Sequence, residues 1–217
     1  MKNKVYVISA LILTMTSSSF GQTVDEKLSQ SLIKKWDNLK NSSMHARSEE
    51  HGHRHCISPL LLEAKKNWNV LSKDAKNALR IAAERPSIAN ESIMATTYFD
   101  IHYTTTGENA VDPTDIDGNG HPDYVDFMAE IVDHVFATDI EQRGFTAPPE
   151  DGTVGGSEYY DIFIGDPSVF EGDDLSGVYG FVASDIIIGD NPNSSTVTES
   201  SASTSFMVMR NNYDGFQ

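Results

Sequence analysis

The chain has 217 residues, an ordinary apolar fraction of 39% and a formal net charge of −16, which suit one globular domain with or without an appendage. Residues 1–97 carry 14 Lys and Arg against 9 Asp and Glu, whereas residues 98–217 carry 2 against 23. So acidic a second part argues against binding of nucleic acid or of an anionic membrane. The opposite charges of the two parts suggest that they dock on each other.

The amino-terminal 21 residues have the pattern of a secretory signal. Lys2 and Lys4 precede an apolar run over 5–15, and small polar residues lead to Gly21. This run is too short to span a bilayer, and no other segment of the sequence is apolar enough to do so. We therefore expect residues 1–21 to be a cleaved signal peptide and the mature protein to be soluble, either secreted or periplasmic.

Residues 22–97 are predicted to form a basic helical pro-region and linker. Apolar residues recur at helical spacing over 24–40, and Ser58 followed by Pro59 is a typical helix start. Ser72 caps a further predicted helix that ends at Pro86. Residues 87–97 are expected to be an irregular connector. This region is too small to be an independent enzyme.

A polar segment within this region contains His51, His53, His55 and the single cysteine of the chain, Cys56. If the segment is extended, the three histidines share one face and can bind a transition metal. A solvated linker is the more ordinary interpretation of such a histidine tract. With one cysteine, no disulfide can form within these 217 residues.

Residues 98–217 are predicted to form an acidic α+β unit. The run 98–104 alternates and is rich in β-forming residues, and 122–141 has a wide apolar stripe at helical spacing, which predicts a well-buried helix. Further strands are predicted from short apolar runs bounded by glycine and aspartate at 159–164, 178–183, 185–188 and 205–210. A strand, a helix and several more strands predict layered packing of helix on sheet.

The strongest motif is the twelve-residue stretch 115–126, in which oxygen-bearing side chains occupy positions 1, 3, 5, 9 and 12. This spacing is typical of a loop that wraps a calcium ion, and Gly120 at position 6 permits the sharp turn that it needs. Direct ligands are expected from Asp115, Asp117, Asn119 and Asp126, a backbone carbonyl from His121, and a direct or water-mediated contact from Asp123.

Two positions depart from the usual calcium loop. Position 12 is Asp126 rather than glutamate, which makes bidentate binding less favourable, and Pro122 cannot form the strand pairing that couples two such loops. We therefore expect a lone loop. The alternative is a plain turn, with Asp123 and Asp126 stabilising the first turn of the following helix. Five oxygen side chains in register favour calcium.

Several segments together resemble a family of exported bacterial zinc metallopeptidases of the zincin type. The resemblance rests on His102-Tyr103-Thr104-Thr105-Thr106-Gly107, on the loop 117–126, on Tyr160-Asp161-Ile162-Phe163-Ile164, on Tyr179-Gly180-Phe181, and on Cys56 with Ser58-Pro59-Leu60-Leu61-Leu62. It implies a twisted zincin-like sheet with a backing helix, zinc in the full-length parent, and a peptide or protein substrate. It also implies that 205–210 is the edge strand of the substrate cleft.

The sequence departs from that family at the decisive point, because no His-Glu-x-x-His occurs in the chain. Zinc hydrolysis of this type needs two histidines on one helical turn and a glutamate. We therefore expect an inactive fragment whose catalytic helix lies beyond Gln217. Within the resemblance, Cys56 is a candidate latency ligand for that zinc; a buried structural cysteine or a bridge to another part of the parent are the alternatives.

Two other hypotheses compete with a metallopeptidase fragment. The second hypothesis, after the metallopeptidase fragment, is an exported calcium-dependent binding or structural module without catalysis. A weaker hypothesis is a metal scavenger built on His51, His53 and His55. The oligomeric state leaves no trace in the sequence.

Overall fold

The computed structural model describes residues 23–45, 57–80, 84–171, 175 and 178–214. The predicted signal peptide, the three clustered histidines and Cys56 lie outside these residues. Among the described helices, none combines the length and the apolar character that crossing a membrane requires.

Helices dominate the amino-terminal part, as predicted. They are α1 (Val24–His45), α2 (Ser58–Lys66), a 3₁₀ turn (Trp68–Val70) and α3 (Lys73–Ala78). Ser72 caps α3 as expected, since its Oγ accepts a hydrogen bond from the Ala75 amide at 3.2 Å. The predicted cap at Ser58 is wrong. Its hydroxyl donates instead to the carbonyl of Val182 at 2.9 Å, so it ties α2 to the sheet rather than closing the helix.

The chain contains a mixed five-stranded sheet, four strands of which lie in the acidic part, and this confirms the α+β class. Its strands are β1 (Ser92–Ala95), β2 (Phe99–Tyr103), β3 (Tyr160–Ile164), β4 (Gly180–Gly189) and β5 (Ala202–Met209), and helix α5 (Pro167–Glu171) follows β3. The spatial order is β1-β2-β3-β5-β4. Strands β2, β3 and β5 run parallel to one another, while the two edge strands, β1 and β4, pair antiparallel with β2 and β5.

Strand β1 corrects the prediction that 87–97 is an irregular connector. Ser92 to Ala95 pairs antiparallel with β2, so the sheet begins before Tyr98. These four residues are mostly exposed and show no clean alternation. Their pairing partner, rather than a local hydrophobic pattern, makes them a strand, and such a strand cannot be read from its own composition.

The placement of the last strand is also corrected. The segment predicted as a cleft-lining edge strand, 205–210, covers the carboxyl-terminal part of β5, which lies between β3 and β4. The edge strand on this side of the sheet is β4. It covers most of two segments that were predicted as separate strands, 178–183 and 185–188, and its pairing with β5 is irregular between Ser184 and Gly189. Burial alternates at Thr204, Phe206 and Val208, as it can in an edge strand or in a central strand. The position of a strand within a sheet depends on which distant segments pair with it, and its own alternating pattern does not reveal this.

Helix α4 (Asp123–Phe136), followed by a π-helical turn over Ala137–Gln142, packs on one face of the sheet. The expectation that its whole wide stripe is buried is wrong. The inward residues are Val125, Met128, Ala129 and Val132, whereas Phe127, Ile131 and Val135 are 58%, 37% and 49% exposed. A helix that packs on a sheet buries only the side that faces the sheet, so the apolar residues on the outer side of α4 remain exposed.

The opposite face of the sheet is covered by the amino-terminal helices. Leu32 and Trp36 of α1 and Leu61 of α2 belong to one buried cluster with Phe163 and Phe206 of the sheet. Each such large apolar side chain contributes about 1.5–3 kcal/mol when fully buried. The basic helical part and the acidic sheet therefore share a hydrophobic core, and their docking does not depend on opposite net charge alone.

Candidate metal loop and buried ion cluster

The loop 115–126 follows β2 after the connection 104–114, and its last four residues form the first turn of α4. Carboxylate oxygens of Asp115, Asp117 and Asp123 lie within 4.8 Å of one another, which is the only such group of three or more His, Cys, Asp or Glu found among the described residues. The first two belong to the loop, and Asp123 lies in the first turn of α4. A cation held by all three would therefore join the loop to the helix.

Asp115 organises the loop by accepting three backbone amides. Its Oδ1 accepts from Gly118 at 2.7 Å and Asn119 at 3.2 Å, and its Oδ2 accepts from Gly120 at 3.0 Å. These bonds, that from Gly120 above all, lower the pKa of the Asp115 carboxyl. The first predicted ligand is thus held ionised and fixed in direction.

Two glycines allow the chain to curl around this carboxylate. Gly118 has φ +73° and Gly120 has φ +94°, both in the region that L side chains rarely adopt. A Cβ at either position would meet nothing within 4 Å, so backbone conformation rather than space requires glycine. The turn predicted at Gly120 is present, and Gly118 adds a second left-handed residue that the motif alone did not reveal.

The other predicted ligands make different contacts. The Asp126 carboxylate accepts from Asn119 Nδ2 at 3.0 Å, and Asn119 Oδ1 accepts from the His121 amide at 2.8 Å. The His121 ring lies 3.0 Å from the Tyr103 hydroxyl. The structure therefore brings the carboxylates of three of the six predicted residues together, while Asn119 and Asp126 hydrogen-bond to each other within the loop.

The donors at this site fit a hard divalent cation. Carboxylate oxygens are the ligands that calcium prefers, whereas structural and catalytic zinc favour histidine and cysteine. Among the described residues, no histidine or cysteine joins a group of three metal-binding side chains. The zinc of the family resemblance therefore has no fitting site in this part of the chain, and Cys56 lies outside the described residues.

A second group of charged residues, which sequence reasoning missed, surrounds Arg85 between the helical part and the sheet. The guanidinium contacts the carboxylates of Asp151 and Asp161, donates from Nε to Asp185 Oδ2 at 2.7 Å, and donates to the Val154 carbonyl at 3.0 Å. The arginine side chain is 13% exposed and that of Asp161 is fully buried. We call Arg85, Asp151, Asp161 and Asp185 the ion cluster.

His102 extends the ion cluster along the sheet. Its Nε2 lies 2.8 Å from Asp161 Oδ1, its Nδ1 lies 3.1 Å from Glu91 Oε1, and its ring stacks on Phe163. Burial by itself would lower the pKa of His102, but the hydrogen bond and the negative charge of Asp161, together with Glu91, outweigh burial and raise it. The imidazolium form is thus favoured in the folded protein.

Gly155 makes room for the ion cluster. It has φ +99°, and a Cβ at this position would overlap the Asp161 carboxylate and the Arg85 guanidinium. The available sequence signal was a charged residue inside an apolar strand, since Asp161 interrupts 160–164 and His102 interrupts 99–103. That signal marks a buried polar group in need of a partner, but it does not say which distant residue supplies it.

The ion cluster joins segments remote in sequence and contains no group of three side chains arranged for a metal. Its three carboxylates already share the Arg85 guanidinium as their opposite charge. We therefore assign it a structural role, in which one guanidinium compensates buried carboxylates and attaches the end of the helical part to the sheet. Comparison with protein-family models, curated proteins and solved structures finds no match for this chain.

Proposed function

We propose that this chain is a calcium-stabilised scaffold of an exported protein, in which the loop 115–126 binds one calcium ion. The observation that carries the proposal is the convergence of the carboxylates of Asp115, Asp117 and Asp123 within 4.8 Å. Bringing these groups together without a counterion is electrostatically unfavourable, and a hard cation removes that cost. When bound, calcium fixes the exit of β2 to the first turn of α4.

The position of the loop explains why such binding stabilises the whole fold. Strand β2 is a central strand buried on both faces, and α4 covers one of those faces through Val125 and Met128. The loop is the last part of the connection between these elements and includes the first turn of α4. A ligand that binds this folded geometry and not the unfolded chain raises the free energy of unfolding by mass action.

The experiment is thermal unfolding in excess calcium and in excess chelator. At a free calcium concentration about 100-fold above the dissociation constant, linkage adds about 2.7 kcal/mol, which corresponds to a rise in melting temperature of roughly 5–10 °C. Magnesium should have a smaller effect, because it requires a tighter and more regular ligand set. An unchanged melting temperature after chelation would contradict the proposal.

At a finer level, we propose that the scaffold belongs to an exported zinc metallopeptidase of the zincin type, with a peptide or protein as the substrate of the full-length parent. The support is the resemblance of the loop and strand segments, together with a mixed sheet backed by α4. The parent's zinc would be held by residues other than those described here. This chain lacks His-Glu-x-x-His and is therefore expected to show no peptidase activity.

A non-catalytic calcium-dependent module is the second candidate. It is favoured by the all-oxygen composition of the metal group found among the described residues. Reading the coding sequence past Gln217 distinguishes the metallopeptidase from the non-catalytic module. A His-Glu-x-x-His within about forty residues supports the metallopeptidase, whereas a stop codon at that point supports the module.

A further inference from the structure

The connection over 144–159, which precedes β3, is attached to the rest of the molecule near both of its ends. The carbonyls of Ala147 and Pro148 accept hydrogen bonds, at 3.0 and 2.9 Å, from two asparagine side chains in the connection between β4 and β5. Near the other end, the Ser157 hydroxyl donates to a carboxylate of β2 at 2.6 Å. The segment 149–156 lies between these attachments.

Arg85 holds this middle segment at two points. Its guanidinium contacts the Asp151 carboxylate and donates to the Val154 carbonyl at 3.0 Å. Most residues of the segment are exposed, whereas the Asp151 side chain is only 4% exposed. How firmly the segment is held therefore depends on how well the ion cluster accommodates the Asp151 carboxyl.

The ion cluster and its neighbours contain more negative than positive groups. Asp151, Asp161 and Asp185 share one guanidinium, and His102 lies between Asp161 and Glu91. Even when His102 is charged, four carboxylates face two cations. A buried excess of charge is strongly unfavourable, and the usual response is that one ionisable group becomes neutral.

Asp151 is the carboxylate whose negative charge has the least support. Asp161 is contacted at both oxygens, by Arg85 and by His102, and Asp185 is 13% exposed and so has some access to water. Arg85 contacts Asp151 at one oxygen, and the other, Oδ1, is buried without a hydrogen-bond partner among the described residues. A buried oxygen that lacks a donor favours the neutral carboxyl over the carboxylate.

The surroundings of Asp151 act in the same direction. Burial raises the pKa of the Asp151 carboxyl, Arg85 opposes this effect, and nearby Asp161 adds to it. The cleft beside Asp151 is lined by further ionisable groups, none of which can supply a positive charge: Tyr98, Tyr159, Tyr160, Glu150 and Glu158.

We propose that the Asp151 carboxyl is the proton-binding switch of a clamp that holds the segment 149–156 on the sheet. With its proton, Asp151 is a neutral acid that fits the ion cluster, and the segment is closed. When the proton leaves to water, the cluster gains one more buried negative charge, and the segment moves outward so that the carboxylate is hydrated. The clamp therefore closes on mild acidification and opens as the pH rises.

The proton on Asp151 can be followed in the full chain by carbon-13 chemical shifts of the side-chain carboxyls, at a constant excess of calcium. The Asp151 signal should titrate above the ordinary aspartate value of 3.8, and the amides of 149–156 should show the same midpoint. Hydrogen exchange of these amides, corrected for its intrinsic pH dependence, should accelerate at least about tenfold above that midpoint. A midpoint at or below 3.8, or exchange that does not follow it, would overturn the proposal.

Asp151→Asn distinguishes this clamp from an ordinary ion pair, because asparagine resembles the neutral acid. The folded protein keeps the Asp151 proton to a higher pH than the unfolded chain does, so this group lowers stability as the pH rises through its midpoint. Above that midpoint the variant should unfold at a urea concentration no lower than the parent's, and its segment 149–156 should stay protected. If Asp151 acts only as the anionic partner of Arg85, the variant loses stability and the segment exchanges faster at every pH.

Glu150→Gln is the matched control for this substitution. Glu150 is exposed on the same segment and forms no ion pair with Arg85, so this variant should respond to pH as the parent does. A response lost equally in both variants would overturn the proposal, because any charge on the segment would then control it. Failure of Asp151→Asn to fold would contradict the proposal as well, since the cluster should accept a neutral side chain there.

Discussion

The protein contains two groups of converging carboxylates, and they are stabilised in opposite ways. In the calcium loop, Asp115, Asp117 and Asp123 come from neighbouring positions, and among the described residues no ion pair joins them to a basic side chain. In the ion cluster, the carboxylates come from distant segments and surround Arg85. In the proposed function, the first group takes its cation from solution, whereas the second carries its own in Arg85.

The difference follows from burial. A carboxylate open to water keeps most of its hydration, so the loop can form around an exchangeable ion with modest cost. Asp161 is fully buried, and an unpaired charge there would be strongly destabilising, so its compensating charge is built into the chain. The exposed group suits regulation by free calcium, and the buried group suits permanent attachment of the helical part to the sheet.

The largest effect is expected from replacing Arg85, the cation that the ion cluster carries within the chain. Arg85→Met leaves three carboxylates without their guanidinium, and loss of one partner from a buried ion group costs about 3–5 kcal/mol. We expect urea unfolding at neutral pH to show a loss of this size. The loss should shrink on acidification, because protonation removes the repulsion among the remaining carboxylates.

The matched control for this substitution is Arg143→Met. Arg143 pairs with Asp139 on the protein surface, and its side chain is 65% exposed. Surface pairs of this kind contribute at most about 1 kcal/mol. If both variants lose the same small amount, Arg85 does not compensate the buried charges as described.

A second substitution tests the tight packing around the ion cluster. Gly155→Ala places a Cβ against Asp161 and Arg85 in a backbone conformation, φ +99°, that alanine rarely adopts. We expect a loss of about 3 kcal/mol from strain and displaced ion contacts. Gly152→Ala separates the two causes, because Gly152 has φ +78° but open space around it. That control should lose only about 1–2 kcal/mol, and equal losses would show that packing at Gly155 is unimportant.

The difference between the loop 115–126 and the ion cluster also explains which features could be predicted from the sequence. The carboxylate group of the loop 115–126 was predictable because its oxygens, its glycine turn and its helix start all lie within twelve residues. The apolar periodicity of α1 and α4 likewise predicted helices, since each pattern is local. Arg85 gave no such signal, because its carboxylate partners lie 66 to 100 residues away along the chain. The same limit accounts for the unrecognised β1 and for the misplaced edge strand, which depend on pairing between distant segments.

The ion cluster and His102 should give the protein a pH dependence above about pH 6.5, the ordinary pKa of histidine. The pKa of His102 in the folded protein is raised above its ordinary value of 6.5, with Asp161 and Glu91 as its charged neighbours and Arg85 beyond Asp161. Its contribution to stability is therefore complete below about pH 6.5 and is lost as the pH rises through the raised pKa. For one proton, the free energy of unfolding falls by at most about 1.4 kcal/mol per pH unit.

Unfolding measured between pH 6 and 9 checks this expectation with His102→Gln as the test variant. The variant should be less stable at pH 6 and should lack the decline attributed to His102. His134→Gln serves as the control, because His134 is exposed on α4 and makes none of these contacts. A decline that persists unchanged in His102→Gln would assign the pH dependence to other groups.

The smallest expected effect concerns the calcium loop without its ion. In excess chelator, Asp117→Asn removes one of three mutually repelling carboxylates from an exposed position, so the melting temperature should stay within about 1–2 °C of the parent or rise slightly. In excess calcium, the same variant loses a ligand and should show less than half of the parent's calcium-dependent rise. Asp214→Asn, an exposed aspartate outside the loop, should behave as the parent in both conditions. A variant that is clearly less stable than the parent in chelator would mean that Asp117 stabilises the loop without a bound ion. The loop carboxylates would then not depend on a cation from solution, and the proposed difference from the ion cluster would be wrong.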